Sequence, residues 1–391
     1  MSKMIEKSCH KPCPVPLKET IESVLQILKD RPEKNLLNVW ADLMKNQIPK
    51  FSSLYIGRQL WPEDEVPEKK EKLSEEEQLA SQILAIIKPL ELENPVAPVL
   101  SLGGKFGTGL MTTAFGLEIT DNPLYPGGIK GHLSIEELDK LEIPDPEKSG
   151  CFPGIKKEID RYLAYTPDDF LIAFPDMQGP FNIACNVLGE SIFFLMNDKP
   201  QKVHRFMEMV TDYYIGCHKL LQKWLPKKRW VPYIASVKRI AECSCNLISK
   251  DMYREFVAPY DKKIVEFFEG EVAIHPCSGP HVFEVTLEEL SGVRHTEAGF
   301  VECAVAGSTS VDKAVNIVKG KPIILSAGDE LIPGKEEETI KNHFGYLKKH
   351  PLMIFGSTGM YWKGKDDRFI INLHKRLDEY YYKFVKKGFD L

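Results

Sequence analysis

Glu271-Val-Ala-Ile-His-Pro-Cys-Ser-Gly-Pro280 reads as a short apolar strand that ends on a histidine, a thiol and a turn. Val272–His275 supplies the strand, Pro276 stiffens the link to the thiol, and Ser278-Gly279 permits a tight turn. The same order of residues repeats downstream. Cys303 follows Val301–Glu302, Gly328 follows Ile323–Ser326, and Gly356-Ser357-Thr358-Gly359 follows Met353–Phe355. Further strands are expected at Val96–Leu102, Leu171–Phe174, Val231–Ile234 and Phe300–Val305. Polar, thiol and glycine residues thus gather after strands, where a (β/α)8 TIM barrel builds its site from several loops. An open doubly wound sheet would also alternate strand and helix. It would, however, concentrate its ligand at one switch point, usually with an early Gly-rich nucleotide loop. The fold class is α/β, and the pattern favours the barrel.

Helical signals fill the gaps between strands. Ser134 with Glu137, and Thr286 with Glu289, have capping-box spacing. Ser249 precedes a helix in which Phe256, Tyr260, Ile264 and Phe267 recur at helical intervals. Pro200–Leu225 is long and amphipathic, with Val203, Met207, Val210 and Tyr214 on one face. Residues 1–95 read differently, as a mostly helical N-terminal extension packed on a barrel of residues 96–391. Within it Leu17–Leu28 predicts a helix, and Pro62–Lys72 is a proline-rich, charged surface connection. Ser74 and Glu77 form a third capping box, opening a helix with Leu79, Ile83, Ile86 and Ile87 on one face. Pro89 and Pro95 are expected to end it.

The chain has 391 residues, 43% hydrophobic and 27% charged, which suits a large folded core. Its 51 basic and 56 acidic residues leave a net charge of −5, so nucleic acid is not an expected partner. No apolar run approaches the roughly 20 residues that span a bilayer. The start, Met-Ser-Lys-Met-Ile-Glu-Lys, has no apolar signal core, which predicts a cytoplasmic protein. The nine cysteines then read as free thiols rather than a disulfide scaffold.

His275 and Cys277, two residues apart in an extended run, can turn to the same side. Imidazole and thiolate both suit zinc, and Cys303 at the end of the next strand could be the third ligand, leaving one position open. A direct hydrogen bond from His275 to substrate, or a purely structural role, fits the same residues. Glu242-Cys243-Ser244-Cys245 offers a pocket carboxylate at the barrel mouth with flanking thiols, or an ordinary solvated or salt-bridged acid. Asp176-Met-Gln-Gly-Pro180 follows a strand. Asp176 is a candidate acid or base, or only a turn cap, while Gln178 and Gly179 are placed to hold a polar substrate. Two glycine-rich loops, Gly103–Gly109 with Lys105 and Gly356–Gly359 with Ser357, allow close approach to a bulky ligand, and Lys105 could meet an acidic group. The aromatic cluster Tyr380, Tyr381, Tyr382 and Phe384 is expected to pack a closing helix or a partner surface, with a second copy of the chain as a candidate.

Gln178-Gly-Pro-Phe-Asn-Ile-Ala184, Leu188-Gly-Glu190, Ile248–Tyr260 and His275-Pro-Cys-Ser-Gly279 occur in one order and spacing that resembles the uroporphyrinogen decarboxylase superfamily. The resemblance covers about residues 96–390. It implies a (β/α)8 barrel with a deep cleft at the strand C-terminal ends. It also implies one of two activities. The haem-pathway branch decarboxylates a tetrapyrrole without a cofactor, using a paired-arginine loop before the barrel. This chain has only Tyr55-Ile-Gly-Arg58 there. The corrinoid-dependent methyltransferase branch uses a His-x-Cys pair and a later cysteine on zinc, with the corrinoid supplied by a partner protein. His275 and Cys277 match that pair, whereas Gly356-Ser357 stands where the later cysteine is expected. Cys303, Glu302 or Glu242 would then complete the set. The expected function is methyl transfer between a small methoxylated or methylated substrate, or a thiol, and a corrinoid protein. A cofactor-independent decarboxylase is the alternative, with Asp176 or His275 protonating a carbanion.

Overall fold

Ile323–Ser326 and Met353–Phe355 are strands with the bounds expected of them in the computed structural model. The structure describes residues 17–45, 47–52, 57–58, 74–120, 127–231, 239–270, 272–275, 280–290, 295–299, 312, 316–317, 323–326, 332–355, 361–362 and 367–387. Beside a short parallel pair of Gly57–Arg58 with Tyr361–Trp362, seven further strands are parallel: β1 (Val99–Ser101), β2 (Leu171–Ala173), β3 (Arg239–Ala241), β4 (Ala273–His275), β5 (His295–Gly299), β6 (Ile323–Ser326) and β7 (Met353–Phe355). The last five form one sheet in the order β7–β6–β5–β4–β3, and β1 pairs with β2. Each successive pair is parallel, with Ala241 beside His275 and Leu100 beside Ile172. Parallel neighbours need crossover connections, and helices supply them.

Two expectations change, and one strand is found that they did not include. The strand before β6 is His295–Gly299, whereas Phe300–Val305, with Cys303, lies outside the described residues. Thr286 does not cap a helix, because it is buried inside α10 (Pro280–Glu289). Pro89 does not end the N-terminal helix either. That helix runs Glu75–Glu91 with Pro89 in its last turn, which removes one backbone hydrogen bond near an already fraying end.

The N-terminal elements are α1 (Leu17–Asp30), α2 (Leu36–Met44) and α3 (Glu75–Glu91). In α1, Ile21, Val24 and Leu28 face the core; burying each contributes about 1.5–3 kcal/mol, well above any propensity difference in the helix. Both groups of the Ser74–Glu77 capping box are bonded, Ser74 Oγ accepting from Glu77 N at 3.2 Å. Leu36 N donates to Val96 O and Val96 N to Lys34 O, both at 2.8 Å, fastening α2 to the lead of β1. Lys34, 1% exposed, donates to Asp378 Oδ2 at 2.7 Å, and Tyr381 O–H donates to Pro49 O at 2.8 Å. Asp378 and Tyr381 both lie on α12 (Arg368–Lys386), so the two ends of the chain are clamped together, and Tyr381 and Phe384 pack a closing helix.

Around the strands run α4 (Phe152–Tyr165), α5 (Pro180–Leu188), α6 (Ser191–Asp198), α7 (Pro200–Trp224), α8 (Lys250–Phe256), α9 (Ala258–Phe267) and, ahead of β7, α11 (Glu336–Lys349). Ser249 caps α8 through Met252 N at 3.2 Å, and the chain breaks at Val257 before α9. Among the described residues no helix is long and apolar enough to cross a membrane.

Candidate functional site

Four strand ends meet in a row. Gly103 follows β1 with φ of +71°, and a Cβ there would lie 2.9 Å from Pro175 Cβ, so the loops after β1 and β2 touch. Gly179 N donates to Ala241 O at 2.7 Å, tying the β2 loop to the end of β3. Glu242 N donates to His275 O at 3.1 Å, tying β3 to the end of β4. This edge brings the segments carrying Lys105, Asp176, Gln178, Gly179, Glu242 and His275 into one line. Cys277, Cys303 and Ser357 lie outside the described residues.

Each side chain on that edge has a physical setting. Lys105, 47% exposed, stands 3.5 Å from Glu158 Oε1 and lies over the Phe106 ring. Glu158 Oε2 in turn accepts from Gly103 N at 2.7 Å, so one buried carboxylate fixes the loop and its lysine. Asp176 Oδ1 accepts from Gln178 Nε2 at 2.7 Å and from Gln178 N at 3.4 Å, a turn closed by the residue's own neighbourhood. Gln178 has φ of +53°, a left-handed conformation that a non-glycine residue adopts at a cost. His275 is half-buried at the end of β4.

Of the alternatives for Glu242, a pocket carboxylate or an ordinary solvated or salt-bridged acid, the solvated one does not hold, since it is 2% exposed. Its Oε1 accepts from Phe181 N at 3.0 Å and its Oε2 from Asn182 N at 2.9 Å, the first backbone donors of α5. Those N–H groups have no partner within the helix, and Pro180 ahead of them has none to offer. Gly179 is required at the N-cap because a Cβ there would overlap the Glu242 carboxyl. Behind Glu242 stands Asp261 of α9, also fully buried, hydrogen-bonded to it and accepting from Tyr253 O–H at 3.1 Å. Two buried carboxyls in contact need a proton between them. Burial first, then the Asp261 charge, raises Glu242 well above the usual carboxylate range; burial raises Asp261 to about 7.

Asp261 and Asn182 are not among the residues expected from the sequence. Asp261 shares the buried stripe of α9 with Ala258, Ile264 and Val265, so an acid at a core position was a usable signal. Asn182 lies four residues after Gln178. Its Nδ2 donates to Gln178 Oε1 at 2.7 Å, and its Oδ1 accepts from Ser244 N at 2.7 Å.

Burial pushes the nearby thiol of Cys185 up to about 12 and holds Cys245 well above the ordinary thiol range. Among the described residues no group of three His, Cys, Asp or Glu side chains could hold a metal ion. His275 is the described member of the expected ligand set.

Residues 108–317, more than half of the chain, match the family described as Uroporphyrinogen decarboxylase (URO-D). A methylated-thiol–coenzyme M methyltransferase of Methanosarcina mazei is 28% identical over 142 residues, 36% of this chain and 35% of that protein. The match thus spans about a third of the relative's length. A solved methyltransferase structure from Methanosarcina mazei superposes with a TM-score of 0.55 at 17% identity, covering 77% of this chain and 86% of that one. The likeness is one of fold. With the parallel strands, the strand-end row and the matched residues taken together, the chain belongs to the uroporphyrinogen decarboxylase (URO-D) family.

Proposed function

We propose that this protein is a methyltransferase of the URO-D family, moving a methyl group between a small methylated or methoxylated compound, or a thiol, and a corrinoid carried by a partner protein. It would work in the cytoplasm, on a closed (β/α)8 barrel of residues 96–391 that carries residues 1–95 as an extension. The observation that carries this function is the sequence His275-Pro-Cys277, whose His275 ends β4 on the same edge as Asp176 and Gly179. Similarity to a methyltransferase over a third of its length adds support.

His275, Cys277 and Cys303 are the proposed zinc ligands, one imidazole and two thiolates, a donor set suited to that ion. Zinc held there would supply Lewis acidity to the atom bearing the methyl group. The chain's own residues do the rest. Asp176 and Gln178 hold polar groups of the substrate, and Gly179 lets it approach the backbone closely. Lys105 meets an acidic substituent, and the Gly356–Gly359 loop with Ser357 borders the bulky corrinoid. Orientation is a large contribution to such a site, since in-line transfer requires the donor atom, methyl and acceptor to be collinear. As the methyl leaves for the reduced corrinoid, the donor sulfur or oxygen keeps the bonding pair. A homodimer is compatible with this arrangement.

Zinc content and methyl transfer test the proposal together. Purified protein should hold one zinc per chain, and Cys277→Ala should lose it. Protein incubated with reduced cobalamin and a panel of methyl thioethers, methanol and methoxylated aromatics should form methylcobalamin, followed by its visible absorbance. Release of carbon dioxide from a porphyrinogen without corrinoid would overturn methyl transfer in favour of decarboxylation.

A further inference from the structure

We infer that Asn182 is a positioning residue whose side-chain amide fixes the direction of the hydrogen bond delivered to Asp176. At the head of this chain of bonds is a donor that cannot be reversed. Ser244 N is a backbone N–H, so the Asn182 atom 2.7 Å from it must be the oxygen. The other end of the same amide is then Nδ2, and it faces Gln178 at 2.7 Å, which must answer with its oxygen Oε1. Gln178 is thereby left with Nε2 toward Asp176 Oδ1, again at 2.7 Å. One backbone donor after β3 sets the polarity of two amides and determines that Asp176 receives an N–H.

The surroundings leave these groups little room to rearrange. Asn182 and Gln178 are both buried, and Asn182 N is itself held by Glu242 Oε2 at 2.9 Å. Gln178 sits in the left-handed region at φ +53°, so its side chain leaves the backbone in a direction that an ordinary turn would not give. A flipped Gln178 amide would set Oε1 against Asp176 Oδ1, two acceptors in contact. Asn182 is what prevents the flip. Its own side chain bonds Gln178 and Ser244, so it acts on Asp176 through Gln178.

Two measurements test this. The catalytic one rests on the methyl-transfer proposal; the spectroscopic one does not. With glutamine side chains labelled with nitrogen-15, the Gln178 amide (assigned from Gln178→Ala) should show two well-separated proton signals in the native protein. In Asn182→Ala they should collapse toward free-amide positions. Asn182→Leu, of similar shape without the donor, should do the same and serves if the alanine variant does not fold. An unchanged Gln178 signal in the folded variant overturns the inference. In methylcobalamin formation, Asn182→Ala should lower kcat/KM about tenfold, the worth of one buried hydrogen bond. In a Gln178→Ala background the same change should cost less than about twofold, because the connection to Asp176 is already cut. An equal cost in both backgrounds means Asn182 acts by some other route and refutes the positioning role. If the native protein transfers methyl from no donor, the functional proposal fails, and the amide signal still decides the positioning role.

Discussion

Replacing Asp261 with asparagine isolates the proton shared with Glu242. In the native protein Asp261 and Glu242 are both fully buried, with Tyr253 O–H donating to Asp261 Oδ2 and two backbone N–H groups donating to Glu242, and their mutual effect favours keeping a proton on the pair. Burial raises Asp261 from an ordinary 3.8 to about 7. Between those values the folded chain keeps a proton that the unfolded chain has released. Stability therefore falls as pH rises from about 4 to about 7, with Asp261 contributing a loss of about 4 kcal/mol, and Glu242, also raised, adds to the fall. Asp261→Asn removes the titration. Its Nδ2 donates to Glu242 permanently, and its oxygen still accepts from Tyr253. The variant should consequently gain on the native protein by about 3 kcal/mol between pH 5 and pH 8. Unfolding entropy for a chain of this length is about 0.8 kcal/mol per degree, so the difference in melting temperature should move by about 3 °C in favour of the variant. Scanning calorimetry of both proteins at pH 5, 6, 7 and 8 measures it. A difference in melting temperature that stays constant across that range refutes the shared proton, whatever its sign.

Other substitutions probe the edge and its supports. Gly179→Ala places a Cβ on the Glu242 carboxyl and should cost about 1–3 kcal/mol in urea unfolding while abolishing methyl transfer. Arg229→Ala removes three hydrogen bonds, from Nε to Phe170 O, Nη1 to Thr166 O and Nη2 to Thr166 Oγ1. It should lower stability by about 3 kcal/mol, with Arg229→Lys recovering only part. Lys34→Met leaves Asp378 without its 2.7 Å partner and should cost about 2 kcal/mol. Adding Asp378→Asn should return most of that loss, as measured by the urea midpoint.

The strands that could be read in the sequence are those whose own residues are apolar. Ile323–Ser326 and Met353–Phe355 carry three aliphatic or aromatic side chains each and begin and end where expected. His295–Gly299, His-Thr-Glu-Ala-Gly, carries none larger than alanine among its apolar residues. It is a strand because it lies between β4 and β6, with Thr296 beside Ile274 and Glu297 beside Ile324. Pairing from both sides outweighs its poor intrinsic preference. Arg239–Ala241, with Ile240 as its one large apolar residue, is too short to stand out as an apolar run. Helix starts were easier to place, because a cap is local chemistry. Ser74, Ser134 and Ser249 all accept the backbone N–H that their spacing promised. Thr286 had the same spacing but lies within α10, since spacing alone does not say where the helix begins.

The edge itself shows why an acid in a sequence is hard to interpret. His275, Asp176, Gln178 and Gly179 could be picked out by a rule of position, the ends of parallel strands. Glu242 satisfies that rule too, yet both its oxygens are engaged by α5 and its outer side faces Asp261. Those partners, Phe181, Asn182 and Asp261, are far from it in sequence, and no local pattern joins them. What distinguishes Glu242 from Asp176 is the donor each meets. Glu242 meets N–H groups that a helix start leaves unsatisfied, so it binds two strand-end loops together beneath the site. Asp176 meets a side-chain amide, whose direction is set by Asn182 and ultimately by Ser244 N. The rigid acid and the candidate reactive acid therefore belong to one connected network, and Glu242→Gln should disturb both. Its amide nitrogen would face Phe181 N or Asn182 N, donor against donor, displacing α5 and with it the Asn182–Gln178 pair. The separated Gln178 amide signals should accordingly be lost in Glu242→Gln. Their persistence would mean that the two parts of the network are independent.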